Sequence, residues 1–538
     1  MLETDANAAG SSGLAVPSKG GLYPVLVLAV LMVVYILNFI DRQILSILAE
    51  AIKQDLGISD ADIGFLFGTA FAVFYSVMGI PLGRLADVWN RKKLIAVGLS
   101  IWSLMTTLSG FAHSFAALAF CRFGVGAGEA SASPASYSIL YDYFPPRIRT
   151  TILSLYSAGA FIGQGLGVFL GGFLLHRWAA AFPDPESAPF ALSGWQVAFF
   201  VVGFPGLLLA LIVLLLREPR RGQGDGIVTA EHPHPVQEAS LTLVGMLPIG
   251  AAWALKRHEA GRGAHLSNLA GGLLIAAFAG LMIQATGNIV QWIAVGFGMY
   301  TVLSWAQLLA IRDRVSFGLI FHCRTFLWTV VGASATNFMI QSIGFWSISY
   351  YQRQFGLNTE EIGKVIGMAA ATAGLVGVVA GGLLSDLLRR WTAAGKLIVL
   401  LISLMMSMAA SLLLLTARQV EIAYVGSFAL LLFSSMGLGP SVSTLNDLVL
   451  PRVRATATAF GFMSTYLIAG AIGPYAIGVG SDMLAASGRA AGSALRESML
   501  FSLVIPTIGI AMVIAAIRSV GRDEASLASR ARAFGEPI

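Results

Sequence analysis

Charge is scarce in this chain. Only 12% of its 538 residues are Asp, Glu, Lys or Arg, against 56% hydrophobic, and the mean hydropathy is +0.77. A soluble domain carries roughly 25% charged residues, so this scarcity excludes an ordinary soluble protein. Cysteine is scarcer still: Cys121 and Cys323 cannot make a disulfide framework, and they fall at different depths of separate predicted spans, so both are expected to be reduced. The Glu231/His232/His234 group lies in a polar linker without a four-ligand set, so no metal is expected. The spans contain no His-x-x-x-His pair, catalytic Asp pair or nucleophile elbow, which argues against a membrane-embedded enzyme. A filter-like carbonyl loop is also lacking, which argues against a channel.

What is present is a series of apolar runs of about 20 residues, each long enough to cross a hydrocarbon core. Helices are predicted near 24–48, 62–82, 94–113, 115–140, 150–175 and 194–216. Eight more fall near 267–285, 288–311, 324–350, 361–387, 396–416, 421–444, 456–482 and 498–518. The first is too long for a signal-peptide core and has no small-residue cleavage site, so it is expected to remain. Basic residues cluster in alternate loops, at Arg84/Arg91/Lys92/Lys93, Arg147/Arg149, Arg217/Arg220/Arg221, Arg389/Arg390 and Arg452/Arg454. By the positive-inside rule these loops and both termini are cytoplasmic, in a cell (inner) membrane. The net charge of +6 is spent on that pattern, so no nucleic-acid partner is expected.

The chain also repeats itself. Leu56-Gly57-Ile58-Ser59-Asp60-Ala61-Asp62-Ile63-Gly64 recurs 299 residues later as Phe355-Gly356-Leu357-Asn358-Thr359-Glu360-Glu361-Ile362-Gly363. At the same offset Gly83–Asp87 recurs as Gly382–Asp386, each followed by a base, Arg91 or Arg390. Pro146-Arg147-Ile148-Arg149 then matches Pro451-Arg452-Val453-Arg454. Three matches in one order predict two homologous six-helix halves around a central path. Ser59 with Asp62, and Asn358 with Glu361, have capping-box spacing. Gly83, Asp87 and Arg91, with Asp386, Arg390 and Arg149, form a candidate inner-gate motif, in which an acid facing a helix start or a neighbouring arginine latches that end.

The expected organisation is a tail (1–20), an N-terminal half (21–220), an insertion (221–323), a C-terminal half (324–520) and a second tail (521–538). The insertion is predicted to hold an interfacial apolar run (241–255) and a two-helix hairpin within 265–312. The fold class is therefore an all-α polytopic membrane protein of two pseudo-symmetric halves with about fourteen transmembrane helices.

Four ionisable residues lie inside predicted spans: Asp41, Arg42, Arg122 and Glu129. A charge there costs several kcal/mol unless it is paired or faces water, so each is a functional candidate. Asp41 lies about 25 Å along the first helix and Arg122 about 10 Å along an oppositely directed one, so a facing gate pair is expected. Glu129 sits seven residues from Arg122 on the same face. Movement of an acid relative to Arg122 would change its hold on a proton, the minimum equipment for proton coupling. Arg42 points about 100° from Asp41 and either snorkels or meets an outer-loop acid. Asn38 and Tyr137 join Arg42 as candidate substrate contacts; Asn337 and Gln341, an i, i+4 pair, either bind a headgroup or join helices. Trp346 with Phe345 either lines the apolar end of the path or serves plain packing or lipid contact. Gly159, Gly163, Gly167 and Gly171 form a stripe expected to permit close packing and rocking between halves.

The Gly-x-Leu-Ala-Asp-x-x-x-Arg-Lys loop and the twelve repeated spans resemble the major facilitator superfamily. Asn38-Phe39-Ile40-Asp41-Arg42 and the Arg122-to-Glu129 stretch are similar to its spinster-like branch. The likeness covers 30–220 and 324–520 and departs at 222–323. It implies a monomeric secondary transporter of amphipathic lipids, such as sphingosine phosphates or lysophospholipids, driven by protons and needing no cofactor. The alternative is a proton-coupled carrier of small organic anions, with Arg122 holding a carboxylate, or of drugs.

Overall fold

The computed structural model describes residues 21–184, 187–221 and 235–537. The expected 1–20 tail and the Glu231/His232/His234 group lie outside them. The first half holds α1 (Leu22–Leu56), α2 (Asp60–Val88), α3 (Arg91–Ser109), α4 (Phe115–Glu129), α5 (Ala132–Tyr143), α6 (Pro146–Ala181) and α7 (Gly194–Leu215). The insertion follows as α8 (Pro235–Met246), α9 (Pro248–Arg257), α10 (Arg262–Thr286), α11 (Ile289–Arg312) and α12 (Arg314–Phe321). The second half is α13 (Arg324–Phe355), α14 (Thr359–Arg389), α15 (Gly395–Thr416), α16 (Val420–Asp447), α17 (Pro451–Ala486) and α18 (Ala491–Ala525), with α19 (Leu527–Ala533) after it.

Among the described residues, eleven helices are long and apolar enough to cross a membrane, or up to thirteen if two bent pairs each count as one. The expected fourteen are not reached by that measure. The short, Arg/Lys-headed α3 and the α4/α5 pair, broken at Ala130-Ser131, lie outside the set. The expected interfacial run is not one helix. Proline at position 248 starts α9, and α8 and α9 meet at 113°.

The repeated sequence has a repeated geometry. Gly57 and Gly356 end α1 and α13 at φ 62° and 67°, a backbone that a side chain would strain. Two residues on, Ser59 accepts from the Asp62 N–H while the Asp62 carboxylate accepts from the Ser59 N–H, a complete capping box. Asn358 caps the Glu361 N–H, but the Glu361 carboxylate accepts from Tyr424 instead, so the second box is half formed.

Towards the Arg91 end, each half has its own apolar core. Towards the Ser59/Asn358 end, α1, α2, α13 and α14 share one core across the halves. Glycine builds the seams. The expected stripe does not lie between halves: Gly163 and Gly167 meet the Ile36 and Ile40 carbonyls of α1, and Gly171 meets Ile44 and Ile47. The neighbouring helical face, Gly165 and Gly172, meets Gly367 and Thr359 of α14 and makes the inter-half seam. Both glycine rows were visible in the sequence; which one faced the other half depended on how α6 is rotated.

Candidate functional site: a buried charge cluster and two helix-end networks

The buried charges converge between α1, α2 and α4. Gly126 makes this possible, because a Cβ there would lie 2.5 Å from the Phe71 carbonyl oxygen, and its absence lets α2 close over α4. Arg42 Nε donates to Glu129 Oε2 at 2.6 Å, both buried. The Arg42 guanidinium lies 4.6 Å from the Phe71 and Tyr75 ring centres and 4.9 Å from that of Phe39. Its Nη1 donates to the Tyr466 hydroxyl at 3.1 Å, so a charge of the first half reaches the second. Arg42 therefore neither snorkels nor meets an outer-loop acid.

The expected Asp41–Arg122 side-chain pair is not formed. Arg122 Nη1 donates to the Asp41 backbone carbonyl and Nε to the Leu66 carbonyl, both at 3.4 Å. Leu66 lies in the π-helical turn Phe65–Thr69, where the Ala70 N–H reaches Phe65 in an i→i−5 bond. Such turns are rare and concentrate at functional sites. Both Asp41 carboxylate oxygens are buried without a hydrogen-bond partner, as are both amide atoms of Asn38 and Glu129 Oε1. Thr106 faces Asp41, but its hydroxyl does not complete a bond. Depth estimates from helix rise put Asp41 and Arg122 together correctly; the side-chain directions chose different partners.

Tyr137 has its hydroxyl 2.8 Å from Ser157 Oγ and its ring 5.1 Å from Tyr156, which stacks on Tyr35 at 4.4 Å. Asn337 Nδ2 is buried without a partner, and Gln341 lies in a second π-helical turn, Met339–Ile343. Trp346 does not line a path. It is buried and donates to the Pro474 carbonyl at 2.9 Å, while Phe345 stacks on Phe67 at 3.9 Å, so both close the inter-half seam.

At the Arg91 end, Arg91 is buried and bonded to Asp142 at 2.5 Å, Glu218 at 2.8 Å and the Pro219 carbonyl at 2.8 Å. These contacts tie α3 to α5 and the segment after α7, all within one half. Arg149 lies over the Tyr141 ring at 3.9 Å. Asp87, Asp386 and Arg390 are exposed. Arg389 rather than Arg390 makes the ion pair, with Glu524 at 2.6 Å, so the repeat of Arg91 does not carry over to Arg390. Gly83 has open space around it. Arg221 burdens itself with the end of α2, donating to the Ala86, Asp87 and Trp89 carbonyls that the helix leaves free.

A network at the opposite end was missed in the sequence. Arg353 of α13 bonds Glu50 of α1 and Asp60 of α2, each at 2.6 Å. Asp60 also takes Lys53 at 2.5 Å and the Ser481 hydroxyl at 2.7 Å. The Asp482 carboxylate accepts the Asp60 and Ala61 N–H groups at 3.1 and 2.8 Å, capping α2 from the other half. The available signal was a break in the repeat: Asp60 corresponds to Thr359, so the acid is unique to the first half.

The Major Facilitator Superfamily model matches residues 31–474. An MFS-type efflux pump of Mycolicibacterium smegmatis is 27% identical over 85% of this chain and 84% of its own length. Protein spinster of Drosophila melanogaster is 23% identical over 85% of this chain and 61% of its own. The probable galactarate/D-glucarate transporter GarP of Escherichia coli K12 is 31% identical, over 36% of this chain and 42% of its own. The crystal structure of a bacterial homologue of the human lysosomal transporter spinster, inward-facing and unoccupied, superposes with a TM-score of 0.70. That match covers 94% of this chain and 99% of the other at 24% identity, a likeness of fold.

Proposed function

The chain belongs to the major facilitator superfamily of secondary transporters, and on that premise we propose that it moves an amphipathic, lipid-like substrate by proton-coupled alternating access. As a member it is a multi-pass membrane transporter and not an enzyme. The observation that carries the proposal is the asymmetry of the charge cluster. Glu129 is paired with Arg42, whereas neither carboxylate oxygen of Asp41 completes a hydrogen bond among the described residues. A carboxylate without a donor is costly to bury as an ion, and a proton removes that charge. When a substrate headgroup or a helix shift draws Arg42 from Glu129, the second acid becomes available to a proton in the same way. Tyr466 links this exchange to the opposite half, because it touches the guanidinium that would move.

The remaining assignments belong to the same proposal. Asp41, Glu129 and Arg122 handle the proton; Asn38, Arg42 and Tyr137 meet the headgroup, with Asn337 and Gln341 opposite. The chain makes fourteen crossings with the 221–323 insertion between halves, places both termini in the cytoplasm of an inner membrane, and works as a monomer. The halves clamped at the Arg353 end, and separately cored at the Arg91 end, then fit an inward-facing state. Uptake of a lysophospholipid and sphingosine-phosphate panel into proteoliposomes, with and without an imposed pH gradient, tests this reading. Gradient-independent or absent uptake of every amphipath overturns it.

A second reading, a carrier of small organic anions, is favoured by Arg122. Its bonds to backbone carbonyls are long, so its charge is left to attract a carboxylate. Competition of lysolipid uptake by galactarate, compared with competition by an alkyl-chain analogue, separates the two.

A further inference from the structure

Away from the charge cluster, the turn of the inserted hairpin closes a cleft of about 530 Å³ against both halves at the Arg353 end. Asp62 and Phe115 come from the first half, Tyr475 and Asp482 from α17 of the second, and Thr286 and Asn288 from the hairpin. Among the described residues, no Lys or Arg lines it. Both carboxylates are partnered by neutral donors: Asp62 by the Ser59 N–H and hydroxyl, Asp482 by two backbone N–H groups. Neither charge is neutralised by these contacts.

A second observation is independent of the acids. Tyr475 is 2% exposed, and its hydroxyl stands beside Thr286 and Trp292 without completing a hydrogen bond to any of the described residues. Its polar neighbours are already spent: Trp292 Nε1 donates to Thr286 Oγ1 at 2.8 Å, and that hydroxyl donates to the Met282 carbonyl at 2.8 Å. A buried hydroxyl left unmatched costs about 1–3 kcal/mol, so it calls for a ligand atom or water. Two carboxylates with no Lys or Arg in contact among the described residues, two aromatic rings and an acceptor hydroxyl select a cation with N–H donors.

We infer that this cleft is a binding site for a primary ammonium group, free in solution or on a lipid headgroup, held between the two halves and the inserted hairpin. Because Asp62 and Asp482 come from opposite halves, the ligand binds the clamped arrangement better than a parted one and shifts the population towards it. The inserted hairpin thereby acquires a function: its turn completes a site that the two halves alone leave open.

The test uses the purified full-length protein in detergent, titrated with ethanolamine against equal concentrations of NaCl and choline chloride. Ethanolamine is expected to raise the unfolding temperature saturably, beyond both controls. Tyr475→Phe, which keeps the ring, should raise the half-saturating concentration about tenfold, as for loss of a hydrogen bond to a charge. Asp62→Asn should abolish the effect, and if that variant fails to fold, Tyr475→Phe alone decides. Nanodiscs separate the sources: if phosphatidylethanolamine stabilises the wild type over phosphatidylglycerol, and Tyr475→Phe cancels the difference, the ligand is a headgroup. No saturable shift with the free amine and no difference between the lipids would overturn the inference, as would a Tyr475→Phe response equal to wild type.

Discussion

Arg42 and Glu129, 87 residues apart in the sequence, form a 2.6 Å ion pair in the interior, while the carboxylate of Asp41, the residue next to Arg42, completes no hydrogen bond among the described residues. Adjacent residues on one helix thus carry opposite electrostatic situations. In the proposed cycle these are the two ends of a single exchange, a paired acid and an unpaired one.

Glu129→Gln and Asp41→Asn each mimic a permanently protonated acid. Gradient-driven uptake should fall at least about tenfold in both, which corresponds to about 1.4 kcal/mol in a coupling step. Equilibrium binding of the substrate and the elution profile should stay near wild type. Full gradient-driven uptake by both variants would make the charges structural.

Removing a base is a different experiment. Arg42→Ala leaves the Glu129 carboxylate buried beside aromatic rings with no cation in contact, and breaking a buried pair this way costs about 3–5 kcal/mol. Arg122→Ala removes bonds of 3.4 Å to two carbonyls and should cost less. Thermal unfolding should therefore rank Arg42→Ala well below Arg122→Ala. Reversal of that order would mean that Arg122, not Arg42, is the main counter-charge.

The two glycine rows of α6 separate folding from rocking. Gly163→Val drives a side chain into the Ile36 carbonyl within the first half, so it should lower the unfolding temperature and the yield. Gly172→Ala strikes the Thr359 carbonyl across the inter-half seam, so it should favour separation of that end with a smaller loss of stability. Distance measurements between spin labels near Gly172 and Thr359 would detect the shift, and unchanged distances would refute it.

Much of this was legible in the sequence, for definable reasons. Apolar run length and the offset between Gly57 and Gly356 report backbone geometry directly, so the all-helical repeated fold could be read. The four buried charges were visible because each violates the composition around it. Partner choice was not, because Asp41 and Arg42 differ by one residue and helix rotation decides which meets α4. The clamp at Arg353 was hidden for another reason: Glu50, Asp60 and Arg353 sit at helix ends, where charge is unremarkable until two ends are brought together.

Beyond the spans, Arg452 joins Asp313 at 3.0 Å and Glu536, tying the insertion to the C-terminal residues. Burial works against ionisation of Asp313, but the Ser316 hydroxyl and N–H and Arg452 outweigh it and hold its carboxyl below the usual range. Glu536 is likewise lowered, chiefly by its hydrogen bonds from Arg452. Depressed carboxyl pKa values mean that the contribution is present above the unfolded values, near about 4, and is lost as pH falls through the folded ones. Proteolysis of the C-terminal residues should accelerate below that pH, and Arg452→Ala should show the fast rate at neutral pH. A rate independent of both would exclude the anchor.

The Arg353 clamp gives the strongest conformational prediction. Asp60 is the hub, taking Arg353, Lys53 and Ser481 at once, and it is 2% exposed. Asp60→Asn keeps the size and the start of α2 but removes the charge, leaving Arg353 with Glu50 alone. Asp482→Asn weakens the cap on α2 without touching Arg353, so its effect should be smaller. Breaking a buried pair costs about 3–5 kcal/mol, enough to invert an equilibrium that favours the clamped state by less than that. Both native cysteines are buried, so a single cysteine introduced at Ser347 reports opening of this end through maleimide labelling. Labelling should rise most in Asp60→Asn, less in Asp482→Asn and least in the wild type. Equal labelling in all three would show that the apolar seam of Phe67, Phe345 and Trp346 closes this end without help from the ions.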